Sequence, residues 1–332
     1  MKIKPLQIAG LTIENPFILA PLAGYTDLPF RLLCREYGAG LVFSEMISCH
    51  GLLYDQQRTW DMTQSIPLER PIAMQLFGSE PDIMGRAAAM LSRLPIDCID
   101  INMGCPVKKV TKKGAGAALM KSPALAAKII RQVCANTTKP VTVKFRSGWT
   151  HQSINAPEFA RMAEESGASA VTIHARTWSD GFSGPVDWEV IAQSKAKINI
   201  ALIGNGDINS YGQGLAMMRQ TGCDGVMIGR GCLGRPWVFD PAEPPDTPQL
   251  RLTALKRHLD LIDQFCQPQW ALGKIRNHAG KYFKAMRHGA EIRNRIYQAE
   301  TFAGLRQLVH SLPDGLLAEK PEEQGKQQAD EY

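Results

Sequence analysis

The chain has 332 residues, 44% of them hydrophobic, and a formal net charge of +6. That length and apolarity exclude a disordered chain and fit one large α/β domain with a small appendage. The N-terminus has no apolar signal core, and no apolar run approaches the ~18 residues of a membrane span, so a cytoplasmic, non-membrane protein is expected. Eight cysteines occur without a C-x-x-C pair, which fits reduced thiols and argues against a metal site.

Short β-rich runs alternate with helical patterns along most of the chain. The runs are Phe17 to Ala20, Leu41 to Ser44, Ile72 to Leu76, Cys98 to Ile101, Val141 to Phe145, Ala170 to His174, Ile200 to Ile203 and Gly225 to Ile228. Between them, helical spacing covers Leu28 to Tyr37, Pro81 to Leu94, Pro123 to Asn136, Ala156 to Ser166, Trp188 to Ala196 and Gly212 to Thr221, with Ser122-Pro123 reading as N-cap and first helical residue. Eight β/α alternations in 240 residues predict a (β/α)₈ TIM barrel over residues 1–240. The competing fold is a doubly wound open sheet, but no G-x-G-x-x-G follows the first strand. The stretch PAEPPDTP, Pro241 to Pro248, is stiff and non-helical and marks a boundary. Helical spacing then predicts a small helical domain over 241–312, and the polar residues 313–332 predict a disordered tail. Between Arg251 and His310 eleven basic residues stand against four acidic ones, the footprint of a phosphate backbone or, more simply, of a solvated helical face.

In such a barrel the working residues lie at the C-terminal ends of the strands. Taken strand by strand, those ends carry Pro21-Leu22-Ala23-Gly24, Glu45, Gln75, Asn102 with Cys105, Lys144 with Arg146, His174-Ala175-Arg176, Asn205-Gly206-Asp207 and Gly229-Arg230-Gly231. The last two loops suit a phosphate, whose oxygens glycine-flanked N–H groups and Arg230 would meet. A phosphate there, the amide of Gln75 and the cation of Lys144 together suit flavin mononucleotide. Lys144 also reads as the partner of a nearby carboxylate or as a Schiff-base lysine, and His174 as a cofactor contact or a core histidine. Cys105, after the strand Cys98 to Ile101, precedes Lys108, Lys109, Lys112 and Lys113, which reads as an enzyme loop facing a polyanion or as a small buried cysteine before an ordinary loop.

Several segments carry a family resemblance. They are A-P-L-A-G-Y-T-D (Ala20 to Asp27), Q-L-F-G (Gln75 to Gly78), D-I-N-M-G-C-P-V-K-K-V (Asp100 to Val110), V-K-F-R-S-G-W (Val143 to Trp149), T-I-H-A-R-T (Thr172 to Thr177), G-N-G-D-I (Gly204 to Ile208) and G-R-G-C-L-G-R-P-W (Gly229 to Trp237). In this order they closely resemble the tRNA-dihydrouridine synthases, nearest the bacterial B-type branch. The resemblance implies an FMN-dependent reductase that takes electrons from NADPH or NADH and converts selected uridines of tRNA to dihydrouridine. It implies that Pro21, Leu22 and Ala23 line the flavin, that Gln75, Lys144 and His174 contact it, and that Asn205, Gly206, Asp207, Gly229 and Arg230 hold its phosphate. Cys105 would donate the proton, Asn102 and Arg176 would touch the target uracil, and residues 241–312 would bind tRNA, in a monomer. Leu22, Ala175, Trp178 and Asn277 depart from the residues frequent in the family. The alternative function is an FMN-dependent reductase of a small pyrimidine, which leaves the basic helical segment unused.

Overall fold

The computed structural model describes residues 4–284, 286 and 288–312, which form two compact units divided between Pro244 and Pro245. The expected disordered tail, 313–332, lies outside the described residues.

The first unit opens with a hairpin of two three-residue strands, β1 (Leu6–Ile8) and β2 (Leu11–Ile13). Eight parallel strands follow: β3 (Phe17–Leu19), β4 (Val42–Ser48), β5 (Ile72–Phe77), β6 (Cys98–Met103), β7 (Val141–Gly148), β8 (Ala170–Thr177), β9 (Ala201–Asn205) and β10 (Gly225–Ile228). Each pairs with its neighbours in chain order, and β10 pairs with β3. Leu19 N donates to Leu41 O at 2.9 Å and Gly40 N to Phe17 O at 2.8 Å, which carries the pairing from β3 to the start of β4. An open doubly wound sheet has two free edges and is thereby ruled out.

Helices α1 (Leu28–Glu36), α2 (Cys49–Leu53), α3 (Gln57–Asp61), α4 (Pro81–Leu91), α5 (Lys108–Thr111), α6 (Pro123–Ala135), α7 (Ala156–Glu165), α8 (Glu189–Lys195) and α9 (Tyr211–Thr221) occupy the connections. Proline at the first turn starts α1, α4, α6 and α7, where its missing N–H costs nothing. Ser122 stands at the N-cap of α6 but its hydroxyl makes no capping bond, so the proline alone sets that start.

Side chains alternate along each strand, and the register sorts them into two faces. Val143 and Phe145 face outward, and Phe145 packs on Phe159 of α7 with ring centroids 4.9 Å apart. The other parity faces the barrel axis. Its lower layers are apolar: Ile18, Phe43, Ala73, Cys98, Ala170 and Ile203 form one cluster with Leu6, Ile8 and Ile13 of the hairpin, which plugs the N-terminal mouth. Its upper layers are polar, with Gln75, Asp100, Asn102 and Thr142 all buried. A polar interior toward one end is affordable only where those groups find partners.

The second unit holds α10 (Pro248–Phe265), α11 (Pro268–Tyr282), α12 (Gly289–Gln298) and α13 (Phe302–His310) around Leu255, Leu259, Ile275, Ile296, Leu305 and Val309. Thr247 caps α10 by accepting from Leu250 N, and Thr301 caps α13 by accepting from Gly304 N. Several cations of the basic segment are used inside this unit. Arg251 pairs with Asp246 at 2.5 Å, and Arg306 with Asp260 and Asp263 at 2.7 and 2.8 Å. Arg276 and Arg293 donate to the carbonyls of Ala299 and Phe283.

Candidate active site at the C-terminal rim of the barrel

β6 carries its ladder to Met103 and turns at Gly104 into Cys105-Pro106. The turn is built by Asn102, whose Oδ1 accepts from Gly104 N at 3.2 Å and Cys105 N at 2.9 Å. Arg146 of β7 donates from Nε to Gly104 O at 2.7 Å and holds the turn from the other side. Cys105 is partly buried, and burial raises its thiol above the ordinary value, against an opposing backbone hydrogen bond from Val107 and the charge of Arg146. The thiol is therefore protonated at neutral pH. Lys108, Lys109, Lys112 and Lys113 are exposed, and the cation that acts on the sulfur is Arg146.

Beneath this turn lies a buried polar chain. Asn102 Nδ2 donates to Gln75 Oε1 at 2.8 Å, Gln75 Nε2 donates to Asp100 Oδ2 at 2.6 Å, and Thr142 Oγ1 donates to Asp100 Oδ1 at 2.5 Å. Burial pushes the Asp100 carboxyl up to about 7, although the bonds from Thr142 and Gln75 and the charge of Lys144 pull the other way.

Across the barrel, Lys144 Nζ donates to Asn205 Oδ1 at 3.1 Å, and Asn205 Nδ2 donates to Met227 O at 2.8 Å. Burial and the neighbouring Arg146 bring Lys144 down to about 8, with Asp100 opposing. His174 is held well below the ordinary histidine value by burial and by the charges of Lys144, Arg146, Arg176 and Arg230, so its ring is neutral. The guanidinium of Arg176 clamps Asp207 at 2.9 and 2.5 Å and donates from Nε to Gly184 O at 2.5 Å. Arg230 reaches the same carboxylate at 3.3 Å. These bonds hold Asp207 below the usual carboxylate range, with the Arg176 hydrogen bond the largest cause.

The β9 and β10 ends lie side by side, with Asn205 opposite Met227. Gly206 has φ +151°, a conformation that favours glycine. Among the described residues the backbone N–H groups of Gly206, Asp207, Gly229 and Arg230 make no hydrogen bond. Unpaired donors beside the half-exposed Arg230 side chain are what an anion requires. Leu22 stands next to this pair, its Cδ2 3.6 Å from where a Cβ on Gly229 would lie. Pro21 and Ala23 flank it at the exit of β3, and Gly24 N donates to Glu45 Oε2 at 2.6 Å.

Cys105, Asn102 and Gln75 thus form one connected group, Lys144 and Asn205 a second, and Arg176, Asp207 and Arg230 a third. The reading of the sequence missed Asp100 and Thr142 as members of the site. Their signal was parity: Asp100 shares a strand face with Asn102, and Thr142 with Lys144. Trp178, noted only as a departure, donates from Nε1 to Pro106 O at 3.0 Å and stacks on Trp149 with centroids 3.9 Å apart, which braces the chain just after Cys105.

The fold recurs in solved structures. A variant of NCR from Zymomonas mobilis aligns with TM-score 0.54 and 17% identity over 75% of this chain and 94% of its own. Histamine dehydrogenase from Rhizobium sp. 4-9 aligns with TM-score 0.55 and 14% identity over 78% of this chain and 50% of its own. At such identities the likeness concerns fold alone. Sequence comparison reaches further. A protein of Synechocystis sp. named probable tRNA-dihydrouridine synthase 1 is 38% identical over 89% of this chain and 85% of its own. One of Xanthomonas campestris pv. campestris named tRNA-dihydrouridine synthase B is 37% identical over 95% of this chain and 98% of its own. The family model described as dihydrouridine synthase (Dus) matches residues 18–314. With the strand-end residues of that resemblance collected on one rim, the chain belongs to the dihydrouridine synthase family, a family of oxidoreductases.

Proposed function

We propose that this protein reduces the C5=C6 bond of specific uridines in tRNA to 5,6-dihydrouridine, with FMN in the barrel mouth and NADPH or NADH as electron source. The reading rests on family membership and on one observation: a protonated thiol, Cys105, shares a rim with Lys144, a neutral His174 and four unpaired backbone N–H groups.

Bound here, FMN would supply hydride chemistry for C6 of the uracil. The chain's own residues do the rest. The N–H groups of Gly206, Asp207, Gly229 and Arg230, with the Arg230 guanidinium, hold the phosphate, and Asn205 fixes Lys144. Lys144, Gln75 and His174 address the polar edge of the ring system, where a cation stabilises added negative charge. Pro21, Leu22 and Ala23 supply the apolar wall. Cys105 keeps its proton at neutral pH and delivers it to C5 as a general acid. Asn102 sits against Cys105 and meets the uracil edge. Arg176 is engaged with Asp207 and Gly184 O, so its contact with the pyrimidine requires the ion pair to open. Residues 241–312 bind the tRNA body and offset the few kcal/mol of unstacking the uridine. The protein works as a cytoplasmic monomer without a metal.

Purified protein is expected to be yellow, to bleach with NADPH under anaerobic conditions and to regain colour on addition of tRNA lacking dihydrouridine. Cys105→Ala is expected to keep its flavin and lose about 10²-fold or more in turnover, the range of general-acid effects. A colourless protein, or recolouring by free uracil but not by tRNA, overturns the reading.

A further inference from the structure

We infer that Asp100 is a positioning residue that sets the orientation of two amides in series, Gln75 and Asn102, and through them the placement of Cys105; this rests on the function proposed above. The argument is one of polarity. An ionised carboxylate only accepts hydrogen bonds, and a backbone N–H only donates. Asp100 lies at one end of the buried chain and the N–H of Cys105 at the other. The two amides between them each have one accepting and one donating end. Gln75 must turn Nε2 to Asp100, at 2.6 Å, and so presents Oε1 to Asn102. Asn102 must answer with Nδ2, at 2.8 Å, and so presents Oδ1 to Cys105 N, at 2.9 Å. Turning either amide over would set donor against donor at one of its ends and acceptor against acceptor at the other, in a site where Gln75 and Asp100 are fully buried.

The chain also explains why a carboxyl group is retained inside the barrel, where a leucine of nearly the same shape would avoid the cost of burial. Thr142 donates to the Asp100 oxygen that does not face Gln75, at 2.5 Å. A hydroxyl both donates and accepts, so a proton arriving on Asp100 goes to the Thr142 side and leaves the Gln75 side accepting. What the site needs from position 100 is therefore an acceptor aimed at Gln75, not a charge. Asparagine supplies that acceptor by turning its own amide toward Thr142; leucine does not.

The test compares Asp100→Asn with Asp100→Leu in the full-length protein. One readout is the rate at which iodoacetamide alkylates Cys105, followed on its peptide by mass spectrometry without RNA. The other is turnover of tRNA. Asp100→Leu is expected to alkylate about tenfold faster and to lower kcat about tenfold, the factor equivalent to one lost hydrogen bond, with KM for tRNA within about twofold. Asp100→Asn is expected to stay within about twofold of wild type in both. Equal alkylation of Asp100→Leu and wild type overturns the inference, as does an Asp100→Asn impaired as severely as Asp100→Leu. If Asp100→Leu does not fold, Gln75→Met breaks the same chain one link on and must show the same faster alkylation; a wild-type rate there also overturns it. Because alkylation is read without RNA, a wild-type protein inactive on tRNA overturns the proposed function while the alkylation result still decides the role of Asp100.

Discussion

Asp100 ties stability to pH in a direction opposite to most carboxylates. Burial raises its carboxyl from the ordinary 3.8 to about 7. Between those values the folded chain holds a proton that the unfolded chain has released, so this residue's contribution falls as pH rises from about 4 to about 7 and is level above. Asp100→Asn removes that slope. Relative to wild type it is expected to gain stability across the window, by a total on the order of 4 kcal/mol, and no more above it. Urea unfolding of both proteins at a series of pH values measures the difference, and parallel curves refute the assignment. Cys105 and Asp100 are raised by the same cause, burial, and the proposed roles use it differently: the first would carry a removable proton, the second would keep an acceptor in place.

At the level of elements, the closest approach of helix to strand decides what a residue is worth. Gly214 lies in α9 against Phe17 of β3, whose ring stacks on Tyr211 with centroids 3.8 Å apart. In an exposed helix alanine would be the better residue by about 1 kcal/mol. Here a Cβ would come within 2.2 Å of Phe17 Cε1. Gly214→Ala is expected to destabilise the barrel by about 1–3 kcal/mol, the range for overpacking, measured by denaturant unfolding. A stabilised variant would mean that α9 moves away freely. The strands teach a related lesson. β6, β7, β8 and β9 all extend past the last residue of the apolar runs, to Met103, Gly148, Thr177 and Asn205. Apolarity marks a strand only while both its faces are packed, and it fails where inward positions turn polar to build the site. The hairpin was missed for another reason, since three-residue strands are too short to show a period.

For the whole molecule, the charge of the helical unit is smaller in effect than in count. Arg251, Arg276, Arg293 and Arg306 serve contacts inside the unit, whereas Lys281, Lys284 and Arg295 are exposed. If residues 241–312 carry the tRNA, replacing those three by alanine should raise KM for tRNA and flatten its dependence on salt by up to about two to three units of log–log slope, with flavin reduction by NADPH unchanged. An unaltered salt dependence would place tRNA binding elsewhere. Eight strand–helix alternations, the proline-rich boundary, the thiol after the fourth barrel strand and the glycines after the seventh and eighth are all local patterns, and the sequence by itself determined them. Which side chains meet was decided only by tertiary structure. Gln75 and Asp100 are 25 residues apart in sequence and Lys144 and Asn205 are 61 apart, and each pair faces the barrel axis together only because the strands pair in one register. A slip of one residue would turn every one of these groups toward the helices.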